Sequence, residues 1–558
     1  MQISTGKDNY NNRVFLGFSI IVLCVVGTTF LCRIFDPDFF WHLATGRWIV
    51  ENMNLPERDP FTPFFYGTNR EAFILKGYWL TQACYQIVFA AGGMVGLALL
   101  KSSSFVALFG TTLYFHWKKK TNITWVLLAI LPLYETLLNF RADRPNMVSL
   151  LFFACLLYLL ETKHWKFLPL LMLVWANSHG GYLLGNVVIV VYIGALVLSR
   201  QKKVLKTVSW GLAGLVASFA NPLGAAGVLL IINFQGSGLQ KTNFESMSPI
   251  QIALEYHDYY LGYFLALFFI IVGLFFIRRS SAWGPLAVLI LTAFISLKGA
   301  RFMPFLVIAS AFYVPCIFDR INLPVLWRRG LLCCSITLII LLGFKDLSVG
   351  RGLTWGLEPD RFPVKGAEFI ARSGGKGQVF CNYEWGGYLI WKLPEAMILN
   401  DPRGLSEDAY LKNVAIENAS PGWETELIEM NTTVVVVSAF NPLSGKANKL
   451  WQSLFYTDNW QLVFADSVSL VYYRNDVAKE GPLMGSHQKQ LSSLNHALSQ
   501  ILRIVEKHPQ TPWHWADLGY IHVLRREIPE AITAYRKALS LDPENDSYQT
   551  KIKLLSAY

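Results

Sequence analysis

Asp36 and Asp38 stand two residues apart in FDPDFFWHLATGRWIVEN (Phe35–Asn52), directly after the first long apolar run. A carboxylate held at a bilayer surface can take a proton from a hydroxyl as a general base, or ligate a metal ion. Leu43, Arg47, Val50 and Glu51 recur at helical spacing, which predicts an amphipathic helix over Phe39–Glu51 lying along the membrane face. Trp41 and Trp48 suit that interface, and His42 is a candidate substrate contact on the same helix. The plainer role for the two acids is an N-cap and a solvated flank.

Other clusters carry related chemistry. In NFRADRPNM (Asn139–Met147), Arg141 and Arg144 have the fork geometry that grips a phosphate, or they form an interfacial pair with Asp143. Lys298 and Arg301 in LKGARF place positive charge in a short outer turn, against the positive-inside trend. An anionic ligand explains them; snorkelling to lipid phosphates is the alternative. In WANSHGGYLLG (Trp175–Gly185), Gly180 and Gly181 allow close backbone approach, and Asn177 and His179 can hydrogen-bond a sugar or pyrophosphate. Glu135 lies inside an apolar run, where an ionisable group is costly unless paired or functional. Tyr383, Trp385, Gly386 and Gly387 form either an aromatic sugar platform or a packed turn.

The elements that position these groups are mostly apolar. Of 558 residues, 53% are hydrophobic and only 16% charged, where soluble proteins carry about a quarter. The net charge of +11 fits Lys and Arg in cytoplasmic loops and says little about nucleic acid. The eight cysteines form neither a disulfide framework nor a CxxC metal pattern. Apolar runs predict eleven spans, near 14–33, 94–117, 123–140, 146–162, 166–178, 183–199, 207–221, 259–277, 283–297, 303–318 and 329–345. Lys7 and Arg13 place the N-terminus in the cytoplasm as a retained signal anchor. The basic clusters at 118–120, 163–166, 200–206, 278–279 and 319–329 alternate consistently with that start. An odd number of spans puts everything after Lys345 outside.

The fold expected is therefore a polytopic α-helical membrane domain over 1–346, whose first outer loop is 34–93. An extracytoplasmic α/β domain follows over 347–475, with strand-like GQVFCN, TTVVVVSAF and SLVYYRN. A helical tail over 490–558 matches the tetratricopeptide pattern at Trp515, Leu518, Gly519, Ala531, Tyr535, Ala538 and Pro543. So short a tail must pack on a neighbour or a partner. No phosphate-binding loop, dinucleotide fingerprint, HExxH or GxSxG stands in a fitting context, which argues against an ATP-driven pump and a serine hydrolase.

The first loop resembles that of GT-C-type glycosyltransferases, which use polyprenyl-phosphate sugars. Phe35-Asp36-Pro37, Ala44-Thr45 and Glu51-Asn52 follow the oligosaccharyltransferase stretches FDPxFNYRAT and LxEN with one residue of slippage. The Asp-Glu pair of protein O-mannosyltransferases and aminoarabinose transferases falls on Asp38 and Phe39, so the catalytic acid is Asp38 or Asp36. The chain is similar as well to a bacterial group with DPDxWWHLxxGxWI and a tetratricopeptide tail. The resemblance implies that Asp143 belongs to a second acidic motif, and that Glu245 in NFESMSP is an outer-loop glutamate near the acceptor. Asp36, Asp38 and Asp143 could together hold a divalent cation, Mg or Mn.

The expected function is an inverting glycosyltransferase of the bacterial inner membrane. It would move a sugar from a polyprenyl-phosphate or -pyrophosphate donor to a protein or glycan on the outer face. Asp38 or Asp36 would be catalytic, and Arg141, Arg144, Lys298 and Arg301 would hold the donor phosphate. His42, Asp143, Asn177, His179 and Glu245 would contact substrate. The alternative is a non-catalytic scaffold that docks an envelope or secretion partner through 490–558. A transporter ranks last, because no internal hydropathy symmetry is visible.

Overall fold

The computed structural model describes all residues except 1–2, 201–203, 236–243, 257–259, 277–282, 375, 442–443, 477–485 and 557–558. The basic pairs Lys202–Lys203 and Arg278–Arg279 fall outside the described residues. Two compact units share the chain: residues 1–57 with 67–357, and residues 58–66 with 358–558.

The first unit is helical. Its elements run α1 (Ile3–Phe30), α2 (Asp38–Asn52), α3 (Asn69–Lys76), α4 (Trp79–Lys119), α5 (Ile123–Leu138), α6 (Asn146–Glu161), α7 (Leu168–Ser178), α8 (Tyr182–Leu198) and α9 (Val204–Ala217). After these come α10 (Ala226–Gln235), α11 (Pro249–Tyr256), α12 (Leu261–Leu274), α13 (Trp283–Ser296), α14 (Met303–Phe318) and α15 (Val325–Ser348). Among the described residues, four stretches are long and apolar enough to cross a membrane: Asn12–Phe30, Trp79–Lys119, Ala300–Phe318 and Val325–Ser348. Six further apolar helices are shorter, at 10–17 residues.

α4 has 41 residues, about twice the length a bilayer core requires. It breaks at Gly93, whose φ of +57° and ψ of −148° lie outside the helical region. The span expected over 94–117 is the part beyond this break. α14 is buried along nearly its whole length and forms the centre of the unit. Around it, α1 meets α4 through Phe30 stacked on Phe105 at 4.0 Å and through Ser102 Oγ donating to the Gly27 carbonyl at 2.7 Å.

α2 departs from the surface helix expected. Phe39 to Gly46 and Ile49 are all buried, so the helix is packed inside the protein on most of its circumference rather than laid along a membrane. The cause is small-residue contact with α4. A Cβ on Gly46 would collide with the backbone carbonyl of Gln82, so only glycine allows this approach. Of the two apolar residues spaced for a membrane face, Leu43 buries against protein, whereas Val50 is exposed.

The second unit holds a five-stranded sheet in the order β2-β1-β3-β5-β4. The strands are β1 (Gly377–Cys381), β2 (Ala396–Ile398), β3 (Thr432–Val437), β4 (Trp460–Ala465) and β5 (Leu470–Arg474). β1 pairs parallel with β2 and β3, whereas β5 pairs antiparallel with β3 and β4. The apolar run Val434–Val437 of β3 is buried on both faces, as a central strand requires. Residues 58–66 join this unit: the Phe61 carbonyl accepts from the Ile398 N–H at 2.8 Å. Arg403 is 1% exposed and lies between Asp59 (2.5 Å) and Asp401 (2.8 Å), which makes the Asp401-Pro402-Arg403 turn an internal staple. Trp385 is buried with its indole N–H on the Arg361 carbonyl, so it is no platform.

The tail helices α16 (Ser486–Lys507), α17 (Pro512–Leu524) and α18 (Ile528–Leu541) share a core with this sheet. Ala497, Ile501, Leu518 and Ile521 pack in one cluster with Trp451, Trp460 and Leu462.

Gly46→Ala should lower the thermal midpoint of the purified protein, by about 1–3 kcal/mol of overpacking. Gly110→Ala in α4, where an added Cβ meets nothing within 4 Å, should leave it unchanged.

Candidate active site

The turn after α1 is held by its own backbone. Asp36 Oδ1 accepts from the Asp38 N–H at 2.9 Å, and the Asp36 carbonyl accepts from the Phe39 N–H at 3.3 Å. Pro37, at the helix start, has a φ of −59° that suits the first turn. Neither acid caps α2 through its side chain in the usual way; Asp36 instead closes the turn that leads into it.

The second oxygen of Asp36 lies 2.5 Å from Arg144 Nε. The same guanidinium reaches Asp38 Oδ2 at 3.3 Å and Glu245 Oε1 at 3.2 Å. One planar cation thus faces three carboxylates supplied by the 36–38 turn and by the 244–246 turn, and they hold it firmly protonated. Asp36 is 4% exposed at its side chain, Arg144 30% and Glu245 44%, so the cluster opens toward Glu245. Burial pushes Asp38 up to about 6; Arg144 works against the shift and Asp36 with it. Asp38 Oδ1 also accepts a long hydrogen bond from the Trp41 indole at 3.4 Å.

Arg301 joins from the 3₁₀ turn Ala300–Phe302. Its guanidinium donates to Ser246 Oγ, beside Glu245, and the turn is fixed by the Ala300 N–H on the Met247 carbonyl at 2.9 Å.

Other expected site residues are engaged elsewhere. Arg141 is 8% exposed and makes a two-pronged pair with Asp346 (2.5 and 3.0 Å), plus a bond to the Thr29 carbonyl at 3.3 Å. Its fork is filled, so the phosphate role expected for it gives way to a structural tie between α1, the 140–145 loop and α15. Asp143 sits 2.6 Å from Lys101, which is 1% exposed, and Lys101 also donates to the Arg33 carbonyl at 3.3 Å. Lys101 thus ties the segments around Arg33 and Asp143 to α4. Lys298 is exposed and lies over the Phe294 ring at 4.7 Å, a cation–π contact. Glu135 accepts from the Gly262 N–H at 2.7 Å, at the start of α12.

Asn177 is fully engaged: Oδ1 accepts from the Trp79 indole at 2.8 Å, and Nδ2 donates to the Leu173 and Ala220 carbonyls at 2.8 Å each. His179 Nδ1 accepts from the Gly181 N–H at 2.9 Å and bonds Ser149 Oγ at 2.7 Å, which leaves the proton on Nε2. Burial lowers its pKa to about 4. His42 Nδ1 meets Gln82 Nε2 at 3.1 Å, and its ring lies 3.5 Å from that of Trp41. Burial, with Arg144 adding, keeps it neutral.

Tyr78 was not legible as a site residue. Its ring lies 5.0 Å from His42 and 5.6 Å from His179, and its hydroxyl feels Asp38, Arg144 and Arg301. The only sequence signal was an aromatic pair, Tyr78-Trp79, at the start of a long apolar run. As for a cation, the Arg144 guanidinium occupies the point on which Asp36, Asp38 and Glu245 converge, and Asp143 is spent on Lys101. Among the described residues no group of three His, Cys, Asp or Glu forms a metal site.

Scanned as a sequence, the chain matches no protein-family model and no curated protein. Its backbone does match solved structures. ArnT from Cupriavidus metallidurans bound to undecaprenyl phosphate aligns over 84% of this chain and 99% of its own, at TM-score 0.50 and 13% identity. Archaeal oligosaccharyltransferase AglB from Archaeoglobus fulgidus, in complex with an inhibitory peptide and a dolichol-phosphate, aligns over 95% and 86%, at 0.51 and 10%. Arabinofuranosyltransferase AftD from Mycobacteria aligns over 83% of this chain and 41% of its own, at 0.53 and 13%. All three are GT-C glycosyltransferases.

The chain has the GT-C fold.

Within this GT-C framework the charged cluster draws on the Phe35–Asn52 stretch, which carries the sequence resemblance. Arg144→Ala should cost about 3–5 kcal/mol, since it strands buried Asp36 without a counter-ion. Arg144→Lys keeps the charge but cannot reach three carboxylates in one plane, so it should recover only part of the lost thermal midpoint.

Proposed function

We propose that the protein is an inverting glycosyltransferase that moves a sugar from a polyprenyl-phosphate or -pyrophosphate donor to a protein or glycan acceptor. The observation that carries this reading is Asp38. It is a carboxylate with a pKa raised to about 6, placed against Arg144, whose guanidinium also holds Glu245 next to the Ser246 that Arg301 binds, in a GT-C fold. That fold is shared with proteins solved with undecaprenyl phosphate and dolichol-phosphate.

Asp38 takes the proton from the acceptor hydroxyl. The oxygen attacks the anomeric carbon from the face opposite the phosphate, which inverts that centre. The bond from the anomeric carbon to the phosphate oxygen breaks, and its electron pair stays on the phosphate. Arg301 and the open edge of Arg144 offset the charge that develops there. Glu245, the most exposed of the three carboxylates, is the one that can give way as the donor phosphate arrives. Asp36 stays as the fixed counter-ion that orients the guanidinium. The carboxylates do not form a cation site while Arg144 lies among them, and no step here is routed through a metal.

The membrane arrangement belongs to the same proposal. Eleven spans with a cytoplasmic N-terminus place the cluster, the sheet-bearing unit and its tetratricopeptide-like tail on the outer face of a bacterial inner membrane. The scaffold alternative finds no specific support, because the tail helices close the core of their own unit.

The test is transfer by the purified protein in nanodiscs from a panel of undecaprenyl-phosphate sugars. Asp38→Asn should lower turnover about 10²–10⁴-fold with the fold intact. Full activity in that variant rules Asp38 out as base. The ionised form is the base, so kcat/KM should rise with pH through an inflection near 6 and level off above it. A profile without that limb contradicts the assignment.

A further inference from the structure

The second unit has a cleft that the transfer reaction does not use. β1, β2 and β3 run parallel, and ligands of open sheets bind beyond the carboxyl ends of such strands. Here the residues that follow those ends, Asn382–Glu384, Leu399–Asp401 and Asn441, line two adjoining cavities of about 20 and 150 Å³. Tyr383 and Tyr410 line both, with rings packed edge to face at 5.6 Å.

Two further features point to a ligand. Asn400 is 1% exposed, and its amide orientation is fixed because Nδ2 donates to the Cys381 carbonyl (2.9 Å) and to Glu417 Oε1 (3.1 Å). Its Oδ1 has no hydrogen-bond partner among the described residues, although Asn400 lines the smaller cavity. A buried acceptor left without a donor is costly. The second feature is charge. Glu384, Glu417 and Asp401 line the cavities, and no basic side chain does so among the described residues. An anion is disfavoured there. Glu384 is held by Arg361 at 3.6 Å, and burial raises Glu417 to about 7, so that a neutral carboxyl can donate as well as accept. Aromatic faces, amides and carboxyls without a cation suit a ligand with apolar C–H faces and many hydroxyls.

We propose that this cleft binds a neutral carbohydrate, stacked on Tyr410 and Tyr383, with a ring hydroxyl donating to Asn400 Oδ1 and others bonding Glu417. None of these residues belongs to the Arg144 cluster, so the binding is independent of the transferase reading.

The full chain in nanodiscs is tested on an array of neutral oligosaccharides of glucose, galactose, mannose, rhamnose and N-acetylglucosamine. At least one should bind. Tyr410→Ala should weaken that binding about tenfold, and Tyr410→Phe should restore it. Ala409→Phe, which fills the smaller cavity from a half-exposed helix position, should weaken it too. Asp38→Asn should bind as the wild type does, even where transfer is lost. The proposal is overturned if the wild type binds no array member, or if binding persists undiminished in both Tyr410→Ala and Ala409→Phe.

Discussion

One guanidinium organises the first unit's chemistry. Arg144 faces Asp36, Asp38 and Glu245, and without it three carboxylates would repel one another in a partly buried site. A fork-shaped cation is suited to this, because its N–H groups point in different directions within one plane. The arrangement leaves the carboxylates unequal. Asp36 is buried and closest to the cation; Glu245 is open; Asp38 lies between, with its proton affinity raised by burial. A base must be ionised yet basic, and burial gives Asp38 that character.

The cluster depends on ties that touch no substrate. Lys101, through Asp143 and the Arg33 carbonyl, joins the 31–37 and 139–145 loops to α4, and Arg141–Asp346 joins the 139–145 loop to α15. Breaking either would leave a buried charge unpaired and loosen the loop that carries Arg144. The contact of α2 with α4 at Gly46 sets the height of Asp38 in the same way. Burial, rather than a membrane surface, fixes the helix that follows the two acids.

Much of this was legible in the sequence. The FDPD stretch pointed to the GT-C fold that the backbone comparisons show. Asp36, Asp38, Arg144, Glu245 and Arg301 do come together, although more than two hundred residues of chain separate the first from the last. What misled was local spacing read alone. The apolar residues of α2 look alike whether they face lipid or protein, and only the absent Cβ of Gly46 decides between the two. Arg141 and Arg144 have the same chemistry three positions apart; their partners, Asp346 and Asp36, lie far away in sequence and separate their roles. Tyr78 carried no motif, because aromatic residues at helix starts are common in membrane proteins.

The central claim is that the site around Arg144 and Arg301 receives a polyprenyl phosphate. Native mass spectrometry of the purified protein with undecaprenyl phosphate measures this directly. The account predicts a bound lipid on the wild type and its loss in Arg301→Ala, with binding kept in Lys298→Ala, whose ammonium lies over Phe294 outside the cluster. Equal lipid retention by the wild type and Arg301→Ala would contradict it.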